Sequence, residues 1–509
     1  MISAISWVPK GIARAIPAEV EPPTKEEIEE IIKSGTLDRS DDSENEDNDE
    51  MDLDAAKRAG DISQALAAAK ALDMTPKTST FGTKDMTDAL KELNMDNYDE
   101  EDDGIEIFST AIGDRYYPSN EMDPYLKKDD EDDDDDEIED MTIKATDAVI
   151  ICARTDDDIS QLQVCVFEEL EDGEFNFYSH HDIILPAFPL CTAWLDFDIK
   201  KNGGGKGNFV AVGTMEPAIE IWDLDLIDEL QPCLVLGGVA KKKKKGKKKG
   251  INYLEGSHTD SVLGLDWNKK EKKYLASASA DNSVKIWDIE AGICFATRNG
   301  HSDKVQAVAW NPHAPNALLS GSFDHSVILV DMRYPSHPGF KSVVTADVEC
   351  LAWDPHDENS FLVSLEDGTV QGFDVRTASS EGCKPSFTLH AHDKPVSSIT
   401  FCPTAPKLLA TGSTDKMVKL WDLSNNQPSC VATKNLKAGA VFSTSFSEDC
   451  PFLLAIGGSK GDLQVWDTLT ETGVARRFGK YSNRKPPAPR EEGAEQEIEE
   501  DDDEGLSSD

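Results

Sequence analysis

The chain has 509 residues and a formal net charge of −47, from 51 Lys and Arg against 98 Asp and Glu. The acids concentrate at the ends: residues 1–140 hold 42 acids and 14 bases (net −28), residues 491–509 hold 11 acids and no base (net −11), and residues 141–490 keep a net charge of −8. This distribution predicts a globular centre between acidic tails. The sequence contains no apolar run approaching the roughly 18 residues that a membrane helix needs, and no readable secretory signal.

Residues 1–140 are predicted to be a mostly disordered acidic region with short helical islands, because their acid runs are too charged to collapse. A capping box at 24–27 precedes an Ile-rich turn. The opening segment 1–11 is apolar for a tail, and such side chains are unfavourable in water unless they bury against something. We therefore expect segments here to fold on a partner protein, with a plain solubilising tail as the alternative. The docking candidates are Trp7, Ile28, Ile31 and Ile32.

Several serines in the acidic ends are candidate phosphorylation sites. Ser40 and Ser43 are each followed by two acids within three residues, a pattern that acidophilic kinases use because their substrate grooves are basic. Ser507 and Ser508 are further candidates, with one acid after them. A phosphate would tighten binding to a basic partner, whereas the alternative is that Ser is simply frequent in acidic tails.

From residue 141 the pattern becomes that of short strands. Residues 148–153, 162–167 and 175–178 are apolar or alternating and predict three strands, with 141–145 as an inner strand beside them. The Gly-rich stretch 203–207 lacks the spacing of a phosphate-binding loop and lies between predicted strands, so we expect a hairpin loop there.

A basic insert follows at 241–249. Three functions compete for it: a nuclear import signal, a contact with nucleic-acid phosphates, or a solubilising loop. Import is the preferred prediction, because import receptors read compact Lys clusters and the acidic ends oppose general nucleic-acid binding. The lysines are Lys241, Lys242, Lys243, Lys244, Lys245, Lys247, Lys248 and Lys249.

Two interlocked aromatic series run along the centre of the chain. The first, usually a Trp before an Asp, recurs at steps of 43 to 48 residues from Trp287 onward. Its positions are Trp222, Trp287, Val330, Phe373, Trp421 and Trp466. The second lies 20 residues earlier from Trp267 on, at Trp194, Trp267, Trp310, Trp353, Phe401 and Phe446. A fixed offset predicts six copies of one unit between 190 and about 479, and Cys165 takes the first-series position in the diverged strands before them.

Each unit contains four short strands joined by turns, which predicts a small antiparallel sheet. One such sheet cannot bury both of its faces, whereas copies stacked radially can. We therefore predict an all-β fold, a seven-bladed β-propeller over 141–480 with six clear blades and one diverged blade. Six blades and a capping hairpin are the alternative. Residues 481–509 are predicted to be a Pro-containing linker and an acidic tail.

The units resemble WD-repeat β-propellers through a Gly-His that opens a unit, as at Gly300-His301, and the Trp-Asp pairs. The resemblance implies a buried hydrogen-bonded set of His, Ser or Thr, Asp and Trp in each complete blade. Because Val330 cannot donate a hydrogen bond, the set that contains His301 and Asp324 is expected to be incomplete. The implied sets are His258, Ser277 or Ser279, Asp281 and Trp287; His301 and Asp324; and His392, Thr411 or Ser413, Asp415 and Trp421.

Nearly the whole chain resembles one branch of these proteins, the periodic tryptophan protein 1 family. The resemblance rests on the segment 1–14, the acidic N-terminal region, both aromatic series, the Lys insert and the acidic end. It implies a nuclear and nucleolar scaffold, associated with chromatin through histone binding, that acts in ribosome biogenesis and ribosomal RNA gene transcription. The implied partners are basic proteins such as histones, ribosomal proteins and assembly factors, with pre-ribosomal RNA or chromatin as further candidates.

Two other functions stay open. Residues 330–333 and 373–376 resemble, without the Trp, the W-D-x-R of substrate receptors of cullin-type ubiquitin ligases. A propeller that binds RNA directly would use the Lys insert. No nucleophile–base motif is readable, and ten scattered Cys without C-x-x-C argue against zinc sites and favour a reducing compartment. We expect no catalysis, cofactor, metal, membrane or small-molecule substrate.

Overall fold

The structure, a computed structural model, describes residues 1–19, 141–157, 159–169, 175–199, 205–240, 252–334, 337–378 and 382–482. These residues belong to one compact unit. They include no helix that is long and apolar enough to cross a membrane.

The regular secondary structure of the described residues is almost entirely short strands. The first third of the strands comprises β1 (Ile2–Val8), β2 (Ala18–Glu19), β3 (Ala148–Asp156), β4 (Ile159–Glu169), β5 (Phe175–Leu185), β6 (Pro189–Leu195), β7 (Phe209–Thr214), β8 (Ile219–Asp223), β9 (Leu226–Ile227) and β10 (Leu234–Leu236). Next come β11 (Val262–Trp267), β12 (Tyr274–Ser279), β13 (Val284–Asp288), β14 (Ile293–Arg298), β15 (Val305–Trp310), β16 (Ala317–Ser322), β17 (Ser326–Asp331) and β18 (Phe340–Val343). The last are β19 (Val348–Trp353), β20 (Ser360–Leu365), β21 (Thr369–Asp374), β22 (Phe387–His390), β23 (Ser398–Phe401), β24 (Leu408–Gly412), β25 (Val418–Asp422), β26 (Ser429–Lys434), β27 (Val441–Phe446), β28 (Leu453–Gly458) and β29 (Gln464–Asp467).

Seven antiparallel sheets form the seven blades of a propeller, which confirms the predicted fold. Blades 1 to 6 have four strands each, in the orders β1-β3-β4-β5, β6-β7-β8-β10, β11-β12-β13-β14, β15-β16-β17-β18, β19-β20-β21-β22 and β23-β24-β25-β26. Blade 7 has three, β27-β28-β29. The first strand of each blade is the inner one, since β11 contacts both β6 and β15, and β1 contacts both β6 and β27.

The inner strand of blade 1 comes from the N-terminus. β1 pairs antiparallel with β3, and Ile2, Ile5 and Val8 are buried. The predicted inner strand at 141–145 is wrong: these residues form a loop, in which the Ile143 N–H donates to the Ala15 carbonyl at 2.8 Å. β1 is better suited to this place, because its apolar side chains bury against both neighbouring blades.

The predicted boundary of the acidic N-terminal region therefore needs correction. Residues 1–19 belong to the propeller, and β2 adds a short parallel pairing with β9. Residues 20–140 lie outside the described residues, and with them the predictions for Ile28, Ile31, Ile32, Ser40 and Ser43.

Blade 7 ends in a helical segment. After β29 come a 3-10 turn (Thr468–Thr470), the helix α1 (Thr472–Phe478) and a second 3-10 turn (Gly479–Tyr481). Two further 3-10 turns follow third strands, at Val375–Thr377 and Ser424–Asn426. Val474 and Phe478 of α1 are buried in one cluster with Leu420 of blade 6 and Trp466 of blade 7. The helix thus covers the outer side of the last two blades.

The core lies between adjacent blades, because each small sheet is apolar on both faces. One cluster joins Phe209 and Leu236 of blade 2 to Val262 and Trp287 of blade 3. Every residue of β7 and β28 is buried, which explains why these second strands read as continuous small or apolar runs. The Gly-rich stretch lies where predicted, between the paired strands β6 and β7, although residues 200–204 are outside the described part.

Candidate functional site

Blade 3 contains the complete buried polar set. The Asp281 carboxylate lies 2.9 Å from Nδ1 of His258, and Nε2 of His258 lies 2.7 Å from Oγ of Ser277. The indole N–H of Trp287 donates to the same Oγ at 2.8 Å. Since the Nδ1 proton faces the carboxylate, Nε2 accepts the hydroxyl proton of Ser277, and the hydroxyl oxygen accepts the indole N–H. The implied alternative, Ser279, instead accepts the backbone N–H of Asp281 at 3.1 Å.

Blade 6 repeats this arrangement with a threonine. Nδ1 of His392 lies 2.8 Å from Asp415, Nε2 lies 2.7 Å from Oγ1 of Thr411, and the Trp421 indole donates to that Oγ1 at 3.0 Å. Ser413 is not a member, because its Oγ accepts the Asp415 backbone N–H.

Blade 4 has three of the four members. Nδ1 of His301 lies 3.2 Å from Asp324, and Nε2 lies 2.8 Å from Oγ of Ser320. Val330 is paired with Leu318 just as Trp287 is paired with Leu275, so it occupies the place of the indole. The set in blade 4 therefore ends at the Ser320 hydroxyl.

Burial favours the neutral imidazoles of the three sets, and hydrogen bonds favour the ionised carboxylates of Asp281 and Asp324. Burial lowers the pKa of His258, His301 and His392, and it outweighs the opposing effect of each neighbouring Asp. For Asp281, burial acts to raise the pKa, but hydrogen bonds from His258, Ser283 and a backbone N–H outweigh it and hold the pKa well below its usual range. The pKa of Asp324 is lowered in the same way, with Ser326 as its first donor.

The order Asp–His–Ser is also that of an acyl-transfer triad, so its environment decides what it does. The hydroxyl oxygens of Ser277 and Thr411 already accept an indole N–H, and both residues are fully buried. A substrate cannot reach them. In blades 3 and 6 the set therefore holds the blade together, as the resemblance implied, and does no chemistry.

The position equivalent to Trp287, called the indole position here, differs between blades. In blades 1 to 7 it is Cys165, Trp222, Trp287, Val330, Phe373, Trp421 and Trp466. Cys165 follows a bulge in β4 at the same place as the bulge before Trp287 in β13. Its neighbour on the second strand is Cys152, at the place of Ser277. A hydrogen bond with Cys165 and burial raise the pKa of the Cys152 thiol.

Trp7 is the first member of the second aromatic series. It pairs with Ile150 as Trp267 pairs with Leu275, and its indole N–H donates to the Ser445 carbonyl of blade 7 at 2.9 Å. The structure thus places Trp7, a candidate for partner docking, inside the propeller, where its side chain links blade 1 to blade 7. The signal was present in the sequence: residues 2–7 have the spacing of 305–310, with apolar residues at the first and fourth positions, Ala at the third and Trp at the sixth.

The Lys insert lies outside the described residues, as do Ser507 and Ser508. Its two ends are described. Val239 and Tyr253 form an antiparallel bridge, and the Ala240 N–H donates to the Asn252 carbonyl at 2.7 Å. The insert thus leaves and re-enters the propeller at one point between blades 2 and 3.

The two motifs that resemble W-D-x-R place arginines on the surface. Arg333 donates to both carboxylate oxygens of Asp331, at 3.0 and 2.6 Å, and Arg376 donates to both oxygens of Asp374, at 2.9 and 2.6 Å. The arginine side chains are 66% and 63% exposed, so each is held in one orientation and still faces water. Within the described ranges no three His, Cys, Asp or Glu residues could together hold a metal ion.

Comparison with known proteins gives two family matches and several relatives. Residues 294–421 match the EIPR1 beta-propeller, and residues 251–288 match the WD domain, G-beta repeat. The chain is 38% identical to an uncharacterized WD repeat-containing protein of Schizosaccharomyces pombe, over 94% of this chain and 91% of that protein. It is 30% identical to Periodic tryptophan protein 1 of Saccharomyces cerevisiae, over 94% of this chain and 90% of that protein. A Drosophila melanogaster homolog of the same name is 30% identical over 57% of this chain and 55% of that protein.

Proposed function

The chain belongs to the periodic tryptophan protein 1 family of WD-repeat proteins, and from this we propose that it is a non-catalytic nuclear scaffold for ribosome assembly. The observation that carries the proposal is likeness along nearly the whole length of both chains, which extends beyond a single repeat or blade. The geometry of the blades supports it: the His and Asp of the buried sets in blades 3 and 6 are fully engaged in holding the fold.

The partners we propose are basic proteins, namely histones, ribosomal proteins and assembly factors. The charge distribution supports this, because −28 lies within residues 1–140 and −11 within 491–509, while the rest is near neutral. Acidic segments attract basic surfaces and speed their encounter, and phosphate at Ser40, Ser43, Ser507 or Ser508 would strengthen that attraction. Chromatin association and a role in ribosomal RNA gene transcription form the finer part of the proposal.

The test is recovery of the full-length protein from nuclear extract, followed by measurement of the pre-ribosomal RNA and proteins that accompany it. We expect pre-ribosomal particles, and we expect unprocessed pre-ribosomal RNA to accumulate when the protein is depleted. A variant with Asn and Gln in place of the acids at 129–137 should recover less pre-ribosomal RNA and protein. The comparison is made at 0.15 M salt, where exposed charges are screened beyond about 8 Å. A scrambled sequence of the same composition is the matched control. Unchanged RNA processing after depletion would contradict the proposal.

A second candidate is substrate recognition for a cullin-type ubiquitin ligase, favoured by the exposed, carboxylate-held Arg333 and Arg376. Purified ligase adaptor should then bind the chain, and Arg333→Ala with Arg376→Ala should abolish binding without unfolding the blades. Arg477 also pairs with a third-strand Asp, so Arg477→Ala is the control. This variant should bind the adaptor as well as the wild type does. Absence of adaptor binding would leave the assembly scaffold as the single proposal.

A further inference from the structure

Blade 4 keeps the polar part of the buried set but not the indole. In blades 1 and 5, which also lack Trp at the indole position, the hydroxyl is missing as well: Cys152 and Val363 stand at the place of Ser277. In blade 4, by contrast, Ser320 is present and is 5% exposed. Among the described blades, blade 4 alone has this buried hydroxyl beside an indole position without an indole.

A cavity of about 220 Å³ occupies this place between blades 3 and 4. Ser320, Ile328 and Val330 form its buried floor, while Asn299 and His337 are exposed at its rim. An apolar cavity of about 150 Å³ already holds benzene, so this one has room for the two fused rings of an indole. Thr297, Arg298 and His301 also line it, so the cavity combines apolar walls with a few polar groups, as ligand pockets do.

The hydrogen bonds of His301 leave Ser320 ready to accept one more. Nδ1 of His301 lies 3.2 Å from the Asp324 carboxylate and carries its proton towards it. Nε2 then accepts the Ser320 hydroxyl proton at 2.8 Å, which leaves the hydroxyl oxygen able to accept a further hydrogen bond, and Ser320 lines the cavity. In blades 3 and 6 the same oxygen accepts an indole N–H at 2.8 and 3.0 Å.

We propose that this cavity, called the blade 4 pocket, binds a tryptophan side chain of a partner protein, with the indole N–H donated to Oγ of Ser320. The chain cannot supply the indole itself. All nine of its Trp lie in the blades, within the residues that the structure describes. The remaining segments of the chain therefore contain no Trp. The proposal rests on the proposed scaffold function only in taking a protein as the partner.

Small probes test the blade 4 pocket without a partner. Binding of 5-fluoroindole to the full-length protein is measured by fluorine NMR, and 1-methylindole, which has no N–H, is measured by competition. We expect the wild type to prefer the probe with the N–H by about fivefold, the factor that one net hydrogen bond gives. Ser320→Ala should remove this preference. Ser277→Ala deletes the matching hydroxyl in blade 3, where the indole is native, and should leave probe binding unchanged.

Filling the pocket tests its location. Val330→Trp should reduce probe binding at least tenfold and raise the midpoint of thermal unfolding, because it completes the set as in blades 3 and 6. If Val330→Trp does not fold, Val330→Phe should still reduce probe binding. The proposal would be overturned if the wild type does not detectably bind 5-fluoroindole at millimolar concentration. It would also be overturned if Val330→Trp and Val330→Phe bind this probe as well as the wild type does.

The partner is tested with peptides displayed on phage and selected on the full-length protein. Enriched peptides should contain Trp, lose binding on Trp→Ala, and fail to bind Val330→Trp. Peptides that bind both proteins equally, or in which Phe or Tyr serves as well as Trp, would overturn the assignment to tryptophan. These outcomes do not depend on ribosome assembly, so the pocket and the proposed function can fail separately.

Discussion

Trp287 stabilises its blade in two ways, by apolar burial and by the indole hydrogen bond to Ser277. It is 1% exposed and packs in one cluster with Leu236 of blade 2. Replacement by Ala should lower the free energy of unfolding by about 3–5 kcal/mol, the usual range for a buried aromatic side chain. Trp287→Phe keeps most of the packing but leaves the Ser277 oxygen without its donor, so it should cost about 1–3 kcal/mol. Thermal and denaturant unfolding measure both, and an unchanged midpoint for the Ala variant would contradict the propeller assignment.

The buried imidazoles make stability depend on pH. In the unfolded chain a His binds a proton near its ordinary pKa of about 6.5, whereas burial lowers the pKa of His258, His301 and His392 in the fold. Below pH 6.5 the unfolded state therefore binds more protons, and stability falls as the pH falls. Each such His contributes a slope of at most about 1.4 kcal/mol per pH unit.

His258→Gln should flatten the dependence of unfolding free energy on pH between 6.5 and 5, in addition to its constant destabilisation. His390→Gln changes an exposed histidine and is the control. Asp281, whose pKa is held below its usual range, adds a further loss of stability only below about pH 4. A slope that is the same in His258→Gln and wild type would show that this imidazole does not titrate differently on folding.

At the scale of the strand, β1 is the element that closes the ring. It supplies the inner strand of blade 1 and, through Trp7, a hydrogen bond to the Ser445 carbonyl. Trp353 makes the same bond within the ring, to the Ala309 carbonyl of blade 4 at 3.2 Å. Trp7→Phe should speed amide hydrogen exchange in both β1 and β27, because it loosens the blades that come from opposite ends of the chain.

Trp353→Phe is the matched control, since it removes an equivalent bond between blades 4 and 5, which are consecutive in the chain. Its effect should stay in β15 and β19, because the chain connection still holds these blades together. If Trp7→Phe leaves exchange in β27 unchanged, the indole of Trp7 does not fasten the closure.

The elements that could be predicted from sequence are those whose partners lie nearby in the chain. Each blade from 2 to 7 is built from strands that are close together in the chain, so the periodic aromatic positions indicated it directly. The spacing at 2–7 matches that of an inner strand, but β1 was missed because its partner β3 begins only at Ala148, and a local pattern does not show which distant strand it pairs with. The buried sets followed from resemblance and spacing, whereas the blade 4 pocket depends on how blades 3 and 4 pack around Val330.

At the scale of the whole molecule, the chain carries strongly charged segments of opposite sign. The acidic ends contribute −28 and −11, and the insert at 241–249 holds eight lysines. Because Val239 and Tyr253 bridge the base of the insert, its charge can change without disturbing blades 2 and 3. The function of the insert can therefore be separated from the stability of the fold.

If the insert is a nuclear import signal, changing all eight lysines to Ser should leave a folded protein of 55.8 kDa in the cytoplasm, because it is too large for fast passive entry. Replacement by Arg keeps the charge and should keep nuclear accumulation, and a foreign import signal fused to the Ser variant should restore it. Fluorescence imaging measures the distribution, and an unchanged thermal midpoint shows that the blades are intact. Continued nuclear accumulation of the Ser variant would reject the import function. A simultaneous loss of RNA binding would then favour phosphate contact, since each lysine on a phosphate steepens the dependence of affinity on salt.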